Sequence, residues 1–318
     1  MKNEKWKFLT YGMHLEKIPI YYSSCNKLVP LLKTLLSNYC INNCIFCPYR
    51  NERKIQRTFW KKEELVKITL ALTKNKKIKG LFLSSGIFKD PEITSEKQIE
   101  VVEELRKRGY RDYVHLTLMP GISVEMMKRA CEVSDRVGIN IEYPKSDYYN
   151  SAKIHLDYLQ DVIKRIRLLS KIVENYRKKG KKISIVTQFI VGSLNESDKE
   201  ILEVTEWLYR KLNVSRVYFS AFEPIKNTPL ENKNAEKKER EIKLYRASFL
   251  IRDYGFSYKE FKYDENGNLI GKDPKNFKIE IKEKYFFEDL IKIKKIGIKK
   301  AKRLDKNFSL LKFIKKRN

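Results

Sequence analysis

Residues 31–50 read LLKTLLSNYCINNCIFCPYR. The apolar run over residues 31–36 has the length and the bounding polar turn of a buried strand. Directly after the turn come Cys40, Cys44 and Cys47, spaced Cys-x3-Cys-x2-Cys. The stretch therefore predicts a core strand that delivers a short loop carrying three thiols.

The chain has five cysteines, Cys25, Cys40, Cys44, Cys47 and Cys131. An odd number in 318 residues argues against a disulfide framework, which belongs to small secreted domains with paired cysteines. Three thiolates on one loop suit a [4Fe–4S] cluster: each takes one iron, and the fourth iron stays open because no fourth cysteine is near in sequence. The alternative is a zinc site completed by Cys25 or a histidine. Zinc sites pair short Cys or His knuckles, whereas His14, His115 and His155 are scattered. Cys131, one helical turn from Met127, reads as a small core residue. Cys25 and His115 read as structural, and Arg50 as a counter-charge to the cluster or a solvated cation.

Downstream, apolar β-rich runs over residues 79–84, 113–119, 135–143, 183–191 and 215–222 alternate with amphipathic stretches over 61–73, 95–108, 124–133, 158–179 and 197–212. With the strand before Cys40 this makes six strand–helix units. Such alternation predicts an α/β fold whose parallel sheet is joined by right-handed crossovers. In parallel barrels the chemistry gathers at the C-terminal strand ends. Polar residues fall there: Ser84-Ser85-Gly86 after the second strand, and Asn140 and Glu142, two apart and so on one face, at the end of the fourth. The fifth strand carries Gln188 and is followed by Glu196.

Together these features resemble the radical S-adenosylmethionine (SAM) enzymes, whose hallmark is Cys-x3-Cys-x2-Cys with an aromatic residue just before the last cysteine, where Phe46 stands. The resemblance implies a partial (β/α)6 barrel and a [4Fe–4S] cluster on Cys40, Cys44 and Cys47. It also implies SAM chelated to the open iron and cleaved to a 5′-deoxyadenosyl radical. Cofactor contacts are implied for Phe46, for Ser84 and Ser85 in place of the superfamily's Gly-Gly-Glu segment, and for Asn140 and Glu142. Gln188 stands for the first glycine of a Gly-x-Ile-x-Gly-x-x-Glu element whose glutamate, Glu196, comes one residue late.

Charge points to a partner. Lys and Arg number 68 against 40 Asp and Glu, a net +28, while 42% hydrophobic and 12% aromatic residues exclude a wholly disordered basic chain. No run approaches the ~18 apolar residues that cross a bilayer, and no apolar leader opens the chain, so a cytoplasmic protein without a membrane partner is expected. From residue 291 to 318, twelve Lys/Arg face one acid, Asp305. Residues 287–304, FEDLIKIKKIGIKKAKRL, resemble a helix-hairpin-helix motif through Leu290, Ile293, Ile296, Gly297, Ala301 and Leu304. Its amides near Gly297, with Lys294, Lys295, Lys299 and Lys300, suit nucleic-acid phosphates. Lys295 stands where the motif has its first glycine, and a basic helix pair with a solvated face is the plainer alternative.

Six segments carry a closer resemblance over residues 28–304: LLKTLLSNYCINNCIFC, GLFLSSGIFKDPE, HLTLMPG, RVGINIEYP, YFSAFEPI and LYRASFLIRDYGF. They are similar to the DNA modification/repair radical SAM proteins associated with uracil-DNA glycosylases. That resemblance implies nucleic acid as target, DNA before RNA, an electron donor for the cluster, and a uracil-DNA-glycosylase-like partner. RNA or tRNA modification, and a non-catalytic nucleic-acid-binding iron–sulfur protein, are the other readings. The expected organisation is an extension over 1–27, a barrel over 28–224, a helical and loop extension over 225–280, and a small α-helical basic region over 281–318.

Overall fold

The computed structural model describes residues 5–9, 20–25 and 27–271. The helix-hairpin-helix-like stretch, with Lys294, Lys295, Gly297, Lys299 and Lys300, lies outside the described residues. So does the side chain of Cys25.

Among the described residues one sheet runs in chain order: β1 (Ile20–Cys25), β2 (Lys27–Leu35), β3 (Gly80–Ser84), β4 (Tyr113–Thr117), β5 (Arg136–Gly138), β6 (Ser184–Val191) and β7 (Arg216–Ala221). Strands β2 to β7 are the six expected units, each parallel to the next, and form a partial barrel. β1 was not anticipated; it folds back antiparallel on β2, with Ile20 opposite Leu32. Before the sheet comes α1 (Lys5–Leu9), and the crossovers carry α2 (Lys62–Lys74), α3 (Pro91–Lys107), α4 (Val124–Val133), α5 (Ser146–Ser151), α6 (Lys164–Lys178) and α7 (Asp198–Leu212). The single long helix expected over 158–179 opens instead as a π-helical turn, Tyr158–Ile163, running into α6. α3 starts four residues ahead of expectation because Asp90 caps it, accepting the Ile93 N–H at 2.7 Å, and Pro91 takes the first helical position.

Alternation along the strands gives the sheet two unlike faces. On one, Leu32, Leu81, Leu83, Val114, Leu116 and Val137 have no solvent exposure, each worth about 1.5–3 kcal/mol of burial. The other carries Lys33, Phe82, Ser84, His115, Thr117 and Arg136. Cys131 is fully buried in α4, in keeping with a core role.

β5 is shorter than the expected run over 135–143. Pairing stops at Gly138, whose added Cβ would lie 2.6 Å from the Val186 carbonyl oxygen, and resumes only as one bridge between Glu142 and Phe189. Glu142 has φ +60°, which breaks an extended run. Asn140 and Glu142 are therefore not alternate residues of one strand face, as the pattern suggested, but members of a bent segment beyond it.

The chain divides into two compact units: one holds the residues up to Glu196 with Arg210–Glu236, the other Ser197–Tyr209 and the residues from Lys237. The first contains the sheet. In the second, α8 (Lys238–Tyr254) ends at Gly255 with φ +78°, a left-handed cap that glycine adopts without strain. Asp198 is buried there against Arg240 Nε at 2.8 Å and the Leu269 N–H at 2.8 Å. No described helix is long and apolar enough to cross a membrane.

Candidate active site at the cysteine loop and strand ends

β2 passes into the cysteine loop under tight backbone control. The Leu36 N–H donates to the Ser84 carbonyl at 2.7 Å, and the Trp60 N–H, at the far end of the loop, donates back to Leu36 O at 2.8 Å. Between these ends the loop has almost no regular structure, so its polar backbone is satisfied by side chains. Asn38 accepts the Thr58 N–H at 2.7 Å and donates to Gln56 O at 3.0 Å. Arg57 donates from Nη1 to the carbonyls of Asn38 and Tyr49 at 2.5 and 2.8 Å. From Nη2 it reaches those of Arg50, Arg53 and Asn51 at 2.6, 3.0 and 3.3 Å. One planar guanidinium thus gathers five carbonyls of the loop, a task that suits its rigid fork of donors.

The same loop is pressed onto β3. The Gly86 N–H donates to Ser37 O and the Ile41 N–H to Ile87 O, at 2.8 and 2.7 Å. A Cβ on Gly86 would stand 2.3 Å from the Tyr39 carbonyl oxygen, so only glycine allows this approach. Cys47 closes a turn onto Cys44 O at 3.1 Å, and its Sγ accepts the Tyr49 N–H at 3.4 Å.

These constraints aim Cys40, Cys44 and Cys47 into a cavity of about 230 Å³. Phe46, Ser84, Ser85, Asn140 and Glu142 line it as well, so the structure brings eight of the sequence-derived residues together. Gln188 does not line the cavity; its carbonyl accepts the Glu142 N–H at 2.9 Å and so fixes a neighbour. Phe46 meets Tyr143 edge-on, ring centroids 6.0 Å apart. The Ser85 hydroxyl turns back to donate to Gly86 O at 2.7 Å. Glu196 is buried and accepts the N–H groups of Gly192 and Leu194, which shapes the loop after β6. Arg50, 7% exposed, pairs with Glu52 at 2.7 Å.

Burial dominates the electrostatics. It pushes the Cys47 thiol up to about 12, and it raises Cys44 well above the ordinary thiol range, with Cys47 and Cys40 adding to the effect. Thiols held this way become thiolates when cations bind them, since a coordinated metal reverses the balance. Glu142 is buried too. Its Oε1 accepts from Asn140 Nδ2 at 3.0 Å, its Oε2 has no partner, and burial pushes its carboxyl up to about 7, against the lowering effect of the Asn140 bond. Its positive φ is a strain that the two main-chain bonds to Gln188 and Ile190 hold in place. An unpartnered carboxylate oxygen on a residue that shares its cavity with three thiols fits a cationic or hydroxyl-bearing ligand beside a metal cluster.

Sequence reasoning missed Arg57 and the cavity-lining Asn42, Thr117 and Tyr149. Arg57 has no distinctive spacing to the cysteines; only its contacts reveal it. A larger cavity of about 580 Å³, bounded by Tyr39, Phe59, Trp60 and Lys97, contains no cysteine.

A family profile described as Radical SAM superfamily matches residues 34–208, more than half of the chain. Comparison with curated proteins gives no match. Among solved structures, the chain is similar to HydG, a maturase of the [FeFe]-hydrogenase, at 17% identity and a TM-score of 0.53, covering 70% of this chain and 49% of that one. It is also similar to methylornithine synthase, PylB, at 20% identity and a TM-score of 0.54, covering 70% of this chain and 64% of that one. The chain thus spans less than two thirds of either structure, and at these identities the likeness speaks for the fold. With the family match extending from β2 through the cysteine loop to α7, the chain belongs to the radical SAM superfamily, whose members use a [4Fe–4S] cluster and SAM.

Proposed function

We propose that Cys40, Cys44 and Cys47 hold the cluster and that this chain is an enzyme that cleaves SAM reductively. The observation that carries this is the shared cavity: Cys40, Cys44, Cys47 and Glu142, whose buried Oε2 has no hydrogen-bond partner, line one space at the C-terminal strand ends. Among the described residues no three His, Cys, Asp or Glu side chains converge on one ion. A cluster asks for no such convergence, because it takes one thiolate per iron. When bound, the cluster and SAM would supply the chemistry, reductive cleavage of the sulfonium with an electron from an external low-potential donor to give methionine and a radical able to take a hydrogen atom from substrate. The chain's own residues hold and exclude. Arg57 and Gly86 fix the loop, Glu142 and Asn140 offer oxygen and amide groups to SAM's ammonium or ribose hydroxyls, and Phe46 with Tyr143 walls off one side.

The test is cluster-reconstituted protein incubated with SAM and dithionite, followed by chromatography for 5′-deoxyadenosine. Production is expected, together with its loss in Cys40→Ala, Cys44→Ala and Cys47→Ala; no product from the wild type would sink the reading. Nucleic acid, DNA before RNA, is the target we infer beyond this. Its support is the net +28 and the cluster of twelve Lys/Arg over residues 291–318, a charge density that attracts polyphosphates. Replacing Lys294, Lys295, Lys299 and Lys300 with Ala should flatten the salt dependence of DNA binding; an unchanged slope rejects that surface.

A further inference from the structure

One layer below the cavity, on the same sheet face, the chemistry changes. Leu35, Ser84 and Thr117 line the cavity. Strand side chains alternate, so Lys33, Phe82 and His115, two residues earlier, point the same way nearer the N-terminal strand ends. The register places them in one continuous row: Lys33 opposite Phe82, Phe82 opposite His115, His115 opposite Arg136, and Arg136 opposite Ser184.

The first three members of the row are in side-chain contact, and Arg136 is tied to the neighbouring strands. Lys33 Nζ lies 5.3 Å from the Phe82 ring centre and 5.2 Å from that of Tyr21, and His115 stacks on Phe82 with centroids 4.4 Å apart. Arg136 donates from Nε to Ser184 Oγ and from Nη1 to Tyr218 Oη, both at 2.9 Å. His115 is 8% exposed and its Nε2 has no partner. Burial lowers the basicity of Lys33, and it depresses His115 well below the usual imidazole range, with Arg136 and Lys33 adding to the effect. Among the described residues neither Lys33 nor Arg136 meets a carboxylate. Two cations and an unsatisfied imidazole nitrogen, turned inward without a counter-charge, carry a desolvation cost that an incoming anion relieves.

We propose that Lys33, His115 and Arg136 form an anion-binding floor beneath the radical-generating cavity, and that it takes a phosphate monoester of the substrate. This deepens the reading above and rests on it for the substrate's proximity to SAM. A monoester carries close to two negative charges at neutral pH, which matches the two cations, and Lys and Arg are both good phosphate ligands. The shared chemistry has two sources, a free 5′-mononucleotide and the phosphorylated end of a strand.

The experiment uses the cluster-reconstituted full chain at constant ionic strength, with thermal stability and tryptophan fluorescence as readouts. It needs neither SAM nor reductant, so its failure is distinct from failure of the radical chemistry. Inorganic phosphate should raise the melting temperature saturably, and acetate should not. Lys33→Met, which keeps the aliphatic stem on Phe82 and Tyr21, should weaken phosphate binding at least tenfold; Arg136→Lys should do so several-fold. Lys67→Met, on the exposed side of α2, is the charge-matched control and should leave the affinity as it is. Equal phosphate affinity in Lys33→Met and wild type overturns the proposal, as does acetate binding as tightly as phosphate. Competition by dAMP alone assigns a free nucleotide; competition by a 5′-phosphorylated but not an unphosphorylated oligonucleotide assigns a strand end.

Discussion

The cavity is built from two segments that reach the same space by opposite means. The cysteine loop between β2 and α2 is long and irregular, and polar side chains impose its shape on its own backbone: Asn38 spans its neck and Arg57 gathers five of its carbonyls. The segment from Ile139 to Tyr143 is short, and a neighbouring strand shapes it. Thr187 Oγ1 accepts the Ile141 N–H and donates to Ile139 O, while Glu142 pairs by N–H and C=O with Gln188 and Ile190. One segment presents three thiols and rests chiefly on the Arg57 guanidinium; the other presents an acid and depends on β6. A loop held by one hub should fail as a unit, whereas a segment held by a ladder should lose only the altered group.

The largest effect should come from removing the hub. Arg57→Ala strips the shared donor from five carbonyls, and with charge-assisted bonds worth about 1.5–3 kcal/mol each before relaxation, a net loss of roughly 3 kcal/mol is expected. Iron content after reconstitution should fall at least fivefold while far-ultraviolet circular dichroism, which reports the sheet and helices, stays as in wild type. Arg57→Lys should rescue little, because a point charge cannot serve diverging acceptors. Full iron loading in Arg57→Ala would show that the loop is held elsewhere, and the contrast between the segments would collapse.

Next in size is Glu142→Gln, which keeps the shape and the Asn140 bond but removes the titration. Unfolded, the carboxyl titrates near 4.5; folded, burial moves it to about 7. Between those values the folded state holds a proton that the unfolded state has released, so this group's contribution to stability is full below 4.5 and is lost as pH rises through 7. Measured by denaturant unfolding of cluster-free protein from pH 4 to 8.5, the wild type should lose roughly 2–3 kcal/mol relative to Glu142→Gln across that window. Parallel pH curves would mean that Glu142 is solvated. The variant should retain its iron, as the ladder picture requires, and bind SAM at least fivefold more weakly above pH 7.

What could be read in the sequence follows the same division. Cysteine spacing and alternating apolar runs are local signals, so the thiols, the six parallel strands and α4 to the residue were legible. The bend at Glu142 was not, because its positive φ is imposed by pairing with Gln188 and Ile190, almost fifty residues away in sequence. Arg57 escaped for a related reason: any of the chain's many basic residues looks like a solvated charge until its acceptors are seen. Lys33 and Arg136 were likewise counted only in a diffuse excess, although the parallel register sets them in one row with His115. Gln188 shows the converse case, a residue placed near the site by its motif that contributes its carbonyl there.

The smallest effect separates two adjacent serines. Ser84 ends β3 and lines the cavity, and among the described residues its hydroxyl has no hydrogen bond. Ser85 also lines the cavity, but its hydroxyl already donates to Gly86 O at 2.7 Å, within the segment that clamps the cysteine loop. Only the first has its donor available to SAM. A neutral hydrogen bond is worth about 0.5–1.5 kcal/mol, so Ser84→Ala should raise the KM for SAM by roughly two- to tenfold, with kcat for 5′-deoxyadenosine nearly unchanged. Ser85→Ala should shift KM less than twofold and act instead on the loop, as a slightly lower iron content. The reverse order, with Ser85→Ala the larger in KM, would mean that the loop clamp and the SAM contacts are one device, and that the two segments do not fail independently.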